Sequence, residues 1–180
     1  MNKLVVAGSV VAALAAINVA NASDGTITFN GNLTANTCDV VVDGQTSNAT
    51  IVLPTVSTKQ LATAATTAGR TGFVMALKNC TGSLKTASAY FEAGVSVDPI
   101  SGRLKNMTGT ASNVALQLRD GTSSSMATIQ AGNANQILNA SYVDVSTGTA
   151  NLPYAVEYYA LGATTAGTVV SNVVYSIQYK

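Results

Sequence analysis

Val173-Val174-Tyr175-Ser176-Ile177-Gln178-Tyr179-Lys180 closes the chain, and its alternation decides the fold class. Val173, Tyr175, Ile177 and Tyr179 fall on one face and Val174, Ser176 and Gln178 on the other. That is the period of two of a β-strand, not the 3.6 of a helix. A last strand this apolar needs cover on one face, and at a sheet edge it also invites a further strand.

The same period recurs upstream. Residues 38–42 with 50–53, then 71–77, 87–92, 114–119, 137–145, 153–161 and 168–179 read as extended segments, giving about eight strands. Turn chemistry separates them: Asp43-Gly44, Thr81-Gly82-Ser83, Asp98-Pro99 with Ser101-Gly102, Asp120-Gly121 and Thr147-Gly148. Only residues 58–65 have helical flavour, with Ser57 or Thr58 as a cap. The expected fold is an all-β sandwich of one domain.

A leading segment, residues 25–34, alternates Ile27, Phe29, Gly31 and Leu33 with Thr28, Asn30 and Asn32. No Gly or Pro follows within residues 34–37 to turn the chain back. Two readings stay open on periodicity alone. Either the first and last strands pair within one molecule, or the leader projects and adds to the groove of another, because alternation reports a buried face and not whose core buries it. Burying Ile27, Phe29 and Leu33 in a partner would contribute roughly 5 to 9 kcal/mol before ordering costs.

Ahead of the leader, Lys3, an apolar run over residues 4–17 and the small-residue ending Ala20-Asn21-Ala22 have the order of a secretory signal peptide, residues 1–22. The apolar run is shorter than the roughly 20 residues of a membrane span. Cleavage after Ala22 takes 22 of the 180 residues and leaves 158. It also removes Lys3 from nine basic side chains, leaving eight against eight acidic ones. Export carries Cys38 and Cys80 to an oxidising compartment, where they are expected to pair. Closing a loop of about 40 residues stabilises the fold by roughly 4 kcal/mol.

Composition bears on chemistry. The 180 residues contain no His and no Trp, and only 9% are charged, against about 25% in an ordinary protein. There is no imidazole base, and two cysteines cannot close a four-ligand zinc site; neither a catalytic nor a metal site is expected, and no cofactor. The near-neutral balance gives no reason to expect nucleic acid as a partner. Asp39, Asp43, Asp98, Asp120 and Asp144 mostly sit at turns or strand ends and read as solvated turn carboxylates in preference to calcium ligands or acid–base pairs. The Asn-x-Ser/Thr matches at Asn48, Asn106 and Asn139 read as chance in an Asn/Thr-rich chain. Tyr158 and Tyr159 point to opposite faces of one strand, one of them towards the core.

The leader Ser23-Asp24-Gly25-Thr26-Ile27-Thr28-Phe29-Asn30-Gly31-Asn32-Leu33, Cys38, Cys80, Gly167 as the fourteenth residue counted back with Lys180 as one, and the penultimate Tyr179 together resemble the chaperone-usher pilins of type 1-like fimbriae. Leu53-Pro54-Thr55-Val56, Ala89-Tyr90-Phe91-Glu92 and Tyr158-Tyr159-Ala160-Leu161-Gly162 are most similar to major subunits of fimbriae associated with N-acetylglucosamine binding. The resemblance implies an incomplete immunoglobulin-like β-sandwich completed by donor-strand exchange. It divides the chain into a signal peptide (1–22), an N-terminal donor-strand extension (23–37) and a pilin domain (38–180). Ile27, Phe29, Gly31 and Leu33 would enter successive pockets of a neighbour. Gly167, Val173, Tyr175, Ile177, Tyr179 and Lys180 would form the acceptor groove and chaperone-recognition region. The implied partners are identical subunits, a periplasmic chaperone, an outer-membrane usher and tip adhesin or adaptor subunits. The implied route runs through the periplasm to a fimbria at the cell surface. The competing readings are a minor or adaptor pilin, a carbohydrate-binding tip adhesin, which would carry a separate lectin domain and lack the arm, and a secreted hydrolase.

Overall fold

The computed structural model describes residues 26–31, 33, 35 and 37–180. The chain divides into two units, Met1–Leu33 and Thr34–Lys180. The proposed signal peptide and Gly25 lie outside the described residues.

Among the described residues of the second unit, nine strands form two sheets: β1 Thr37–Val42, β2 Thr67–Thr81, β3 Thr86–Phe91, β4 Leu104–Lys105, β5 Val114–Asp120, β6 Thr128–Ile129, β7 Val143–Asp144, β8 Ala150–Ala160 and β9 Tyr175–Tyr179. The larger sheet has the order β1-β2-β8-β5-β4, with β6 also paired to β5; the smaller has the order β7-β3-β9. All these pairings are antiparallel. The inward set of each long strand follows the period of two: Phe73, Met75 and Leu77 on β2, Leu116 and Leu118 on β5, Leu152, Tyr154 and Val156 on β8, and Ala87, Ala89 and Phe91 on β3 meet in one core. Tyr154 crosses between the sheets. Its ring meets Phe91 edge-on at 5.2 Å, and its hydroxyl accepts from the Ala89 N–H at 3.0 Å.

Three segments depart from the expected strands, each for a visible reason. Residues 50–53 join no ladder, although Ile51 and Leu53 are half-buried and Val52 between them is exposed. Alternation there records a covered face without a strand partner. Residues 137–145 are not one strand: a short helix, α1 Asn135–Asn139, precedes the two-residue β7. Its Gln136 accepts from the Phe91 N–H and donates to the Phe91 carbonyl, both at 3.0 Å, satisfying the end of β3 from a helical turn. Of residues 168–179 only Tyr175–Tyr179 form a strand. The approach to it is tied by Asn106, whose Oδ1 accepts from Val170 N–H and whose Nδ2 donates to the Thr168 carbonyl. The expected helical region is a single 3-10 turn, Thr58–Leu61, capped by Ser57.

Candidate functional site: an open groove beside the last strand

The smaller sheet stops at β9. On the β3 side, Glu92 N–H donates to Val174 O and Lys180 exchanges both main-chain bonds with Thr86. Strand alternation then directs the N–H and C=O groups of Tyr175, Ile177 and Tyr179 to the opposite edge. Among the described residues no strand pairs with that edge.

A groove of about 430 Å³ borders this edge. Its floor is the core itself, including Phe73, Met75, Phe91, Leu116, Leu118 and Val156. One wall is Ser171, Asn172, Val173 and Tyr175; the other is Val42 with the segment 47–51 and Leu53. The Tyr175 hydroxyl reaches across and donates to the Ser47 carbonyl at 2.7 Å. Burial pushes the Tyr175 phenol above its usual pKa. At the far end of β9, burial likewise raises the Tyr179 phenol, opposed by a hydrogen bond with the Cys38 main chain. Cys38 is joined to Cys80 by a disulfide, so the start of β1 is covalently held to β2.

The expected site residues therefore separate. Val173 and Tyr175 line the groove. Ile177 and Tyr179 are partly buried against the core farther along the strand. Gly167 does not line it. It has φ +155°, and an added Cβ would stand 2.5 Å from Ala111 N, so glycine is required there by a local close approach. Lys180 does not line it either; its Nζ donates to the Ile137 carbonyl at 3.1 Å and lies over the Tyr142 ring. Residues 47–53 were not foreseen as a wall, although the alternation of Ile51 and Leu53 was the available signal.

In the leader, residues 26–31 carry no regular secondary structure. Ile27, Phe29 and Leu33 are 79%, 88% and 100% exposed, and an added Cβ on Gly31 would meet nothing within 4 Å.

Three of the carboxylates behave as turn groups, whereas Asp39 lies within β1 and accepts from Asn79 Nδ2 at 2.7 Å. Asp98 accepts from Ile100 N–H and Ser101 N–H, Asp120 from Thr122 N–H, and Asp144 from Ser146 N–H. Bonds from Ser101 hold the Asp98 carboxyl below its usual range, and bonds from Ser146 do the same for Asp144. Tyr158 packs against the core, while Tyr159 lies under the Arg103 guanidinium at 3.6 Å. A cluster that was not foreseen covers the outer face of β8. Glu157 is 1% exposed, and accepts from Arg70 and Arg119 at 2.8 Å each and from Gln117 at 3.0 Å. Burial pushes its carboxyl up, but the bonds from Arg70, Arg119 and Gln117 outweigh it and leave the pKa below 4.5. Gln117 stands opposite Glu157 in the β5–β8 register, a relation that pairing alone reveals.

An all-β sandwich whose last strand has a free edge among the described residues, beside a groove floored by its own core, defines a class: folds whose sheet has room for one more strand. Residues 53–180 match the family model of the type-1 fimbrial protein, A (FimA). The chain is 44% identical over 163 residues to the major fimbrial subunit SMF-1 of Stenotrophomonas maltophilia (strain K279a), covering 89% of this chain and 95% of that one. It is 36% identical over 165 residues to the F17 fimbrial protein of Escherichia coli, covering 88% and 89%. The P pilus rod subunit PapA superposes with a TM-score of 0.60 at 15% identity, over 79% of this chain and 99% of that one; this likeness establishes the immunoglobulin-like pilin fold. The chain belongs to the type-1 fimbrial protein family and is a structural pilus subunit.

Proposed function

We propose that this subunit polymerises by donor-strand exchange, the arm of one molecule adding to the β9 edge of the next. The observation that carries the reading is that edge, with outward-directed main-chain groups above a groove floored by core residues. Ile27, Phe29, Gly31 and Leu33 are the donor positions. Val173, Tyr175, Ile177 and Tyr179 form the acceptor strand, with Gly167 and Lys180 outside the groove but in the region a chaperone would recognise. Burial of the three large donor side chains and a ladder of main-chain bonds supply the driving force. Residues 1–22 act as the export signal, 23–37 as the extension and 38–180 as the body. A periplasmic chaperone holds the groove until an outer-membrane usher exchanges it for the next arm, and tip adhesin or adaptor subunits cap the fibre at the cell surface. The role is architectural, without catalysis, and the chain forms the shaft of a fimbria of the N-acetylglucosamine-associated group.

The test is self-completion. Residues 23–37 fused after Lys180 through a flexible linker are expected to yield a monomer with a Tm well above that of the unfused chain. Equal Tm values with and without the fusion would sink the reading.

A further inference from the structure

Two features stand out among the described residues. The Ser171 hydroxyl is buried with no hydrogen-bond partner among the described residues, although it lines the groove. A buried donor left unpaired is costly in a folded protein. Its position makes the missing bond more telling. Val169, Val173, Tyr175, Ile177 and Tyr179 all pack against the core at a spacing of two, and Ser171 is the polar member of that stripe. The second feature is Gly31, at the place in the arm's alternating set where a fourth large side chain would stand, with open space where its Cβ would be.

We propose that Ser171 sets the register of the incoming strand by donating a hydrogen bond to the main chain of a second copy at Gly31. This rests on the donor-strand reading. A hydroxyl on the inner wall can reach main chain only where the entering residue has no side chain in the way, and Gly31 supplies that gap. Direction follows from the sequence. With Gly31 beside Ser171 and the strands antiparallel, Leu33 meets Val169, Phe29 meets Val173 and Ile27 meets Tyr175. The parallel alternative sets Ala35 against Tyr175 and Ile27 against Gly167. It would place a single methyl group over the groove where Tyr175 lines it and carry both Phe29 and Ile27 to Val169 and Gly167, which do not line it, whereas the antiparallel register leaves only Leu33 outside the lining.

The experiment uses fibres assembled from the mature chain, residues 23–180, with dissociation in guanidinium as the readout. Ser171→Ala fibres are expected to dissociate about tenfold faster than wild type, the scale of one ordinary hydrogen bond. Ser171→Thr, which keeps the hydroxyl, restores most of the lifetime. Gly31→Ala also shortens it, and the double variant is no worse than the more severe single one, because both remove the same contact. In the unassembled subunit Ser171→Ala leaves Tm unchanged or raises it, since the hydroxyl has no partner among the described residues. Wild-type lifetime in Ser171→Ala fibres, or independent multiplication of the two single effects, overturns the proposal while the donor-strand reading stands. Fibre growth by a chain lacking residues 23–33 overturns both.

Discussion

β8 and β9 carry the same alternation, yet β8 is bonded on both flanks, to β2 and β5, whereas β9 has β3 on one flank only among the described residues. The difference separates two requirements that periodicity merges. Covering an apolar face is one; pairing the main-chain groups of both edges is the other. β8 meets both, and even the carboxylate on its outer face is matched by two guanidinium groups. β9 meets the first in part and the second by half.

The largest perturbation removes the arm proposed to complete β9. Deleting residues 23–33 is expected to abolish fibre growth, the loss of roughly 5 to 9 kcal/mol of side-chain burial. Electron microscopy of assembled material checks it, and long fibres from the truncated chain would refute the comparison. Next is the tie at the start of β1. Replacing Cys38 and Cys80 by Ala is expected to cost the subunit about 4 kcal/mol, from the size of the loop the disulfide closes, read as a lower denaturant midpoint.

On the complete side of the comparison, Glu157→Gln is expected to cost about 2 to 3 kcal/mol. This is below the usual penalty for breaking a buried pair, because Arg70 keeps 47% of its side chain exposed. The pH dependence sharpens the test. The folded Glu157 carboxyl titrates below its ordinary 4.5, so the unfolded chain binds the extra proton first as pH falls. The stabilisation is therefore full at neutral pH and is lost as pH drops through the folded pKa. Denaturant titrations from pH 7 to pH 3 should show an acid-side slope that is shallower in Glu157→Gln. The smallest effect is expected at the groove: Tyr175→Phe removes the bond to Ser47 and should lower the stability of the free subunit by about 1 kcal/mol.

Legibility followed the same division. The strands around Phe73–Leu77, Leu116–Leu118 and Leu152–Val156 were readable because each buries one face against a core that the period of two announces. Residues 50–53 and 168–174 alternate as clearly and form no ladder, since hydrogen-bond partners are a property of the neighbour. Gln136 was hidden because its role is to bond Phe91, 45 positions away. The Glu157 cluster was hidden because Arg70 and Glu157 are 87 positions apart.

Sequence alone determined that this chain is all-β, carries no imidazole, pairs its two cysteines and has an apolar alternating stretch near each end. Each of these depends on local period or residue type. Only the tertiary structure decided that β9 is an edge among the described residues, that residues 47–51 and Leu53 form the opposite wall, that Gly167 stands at a close approach to Ala111, and that Ser171 lacks a partner among the described residues. Those facts belong to pairs of segments distant in the chain, and the geometry that joins them exists only once the two sheets have packed.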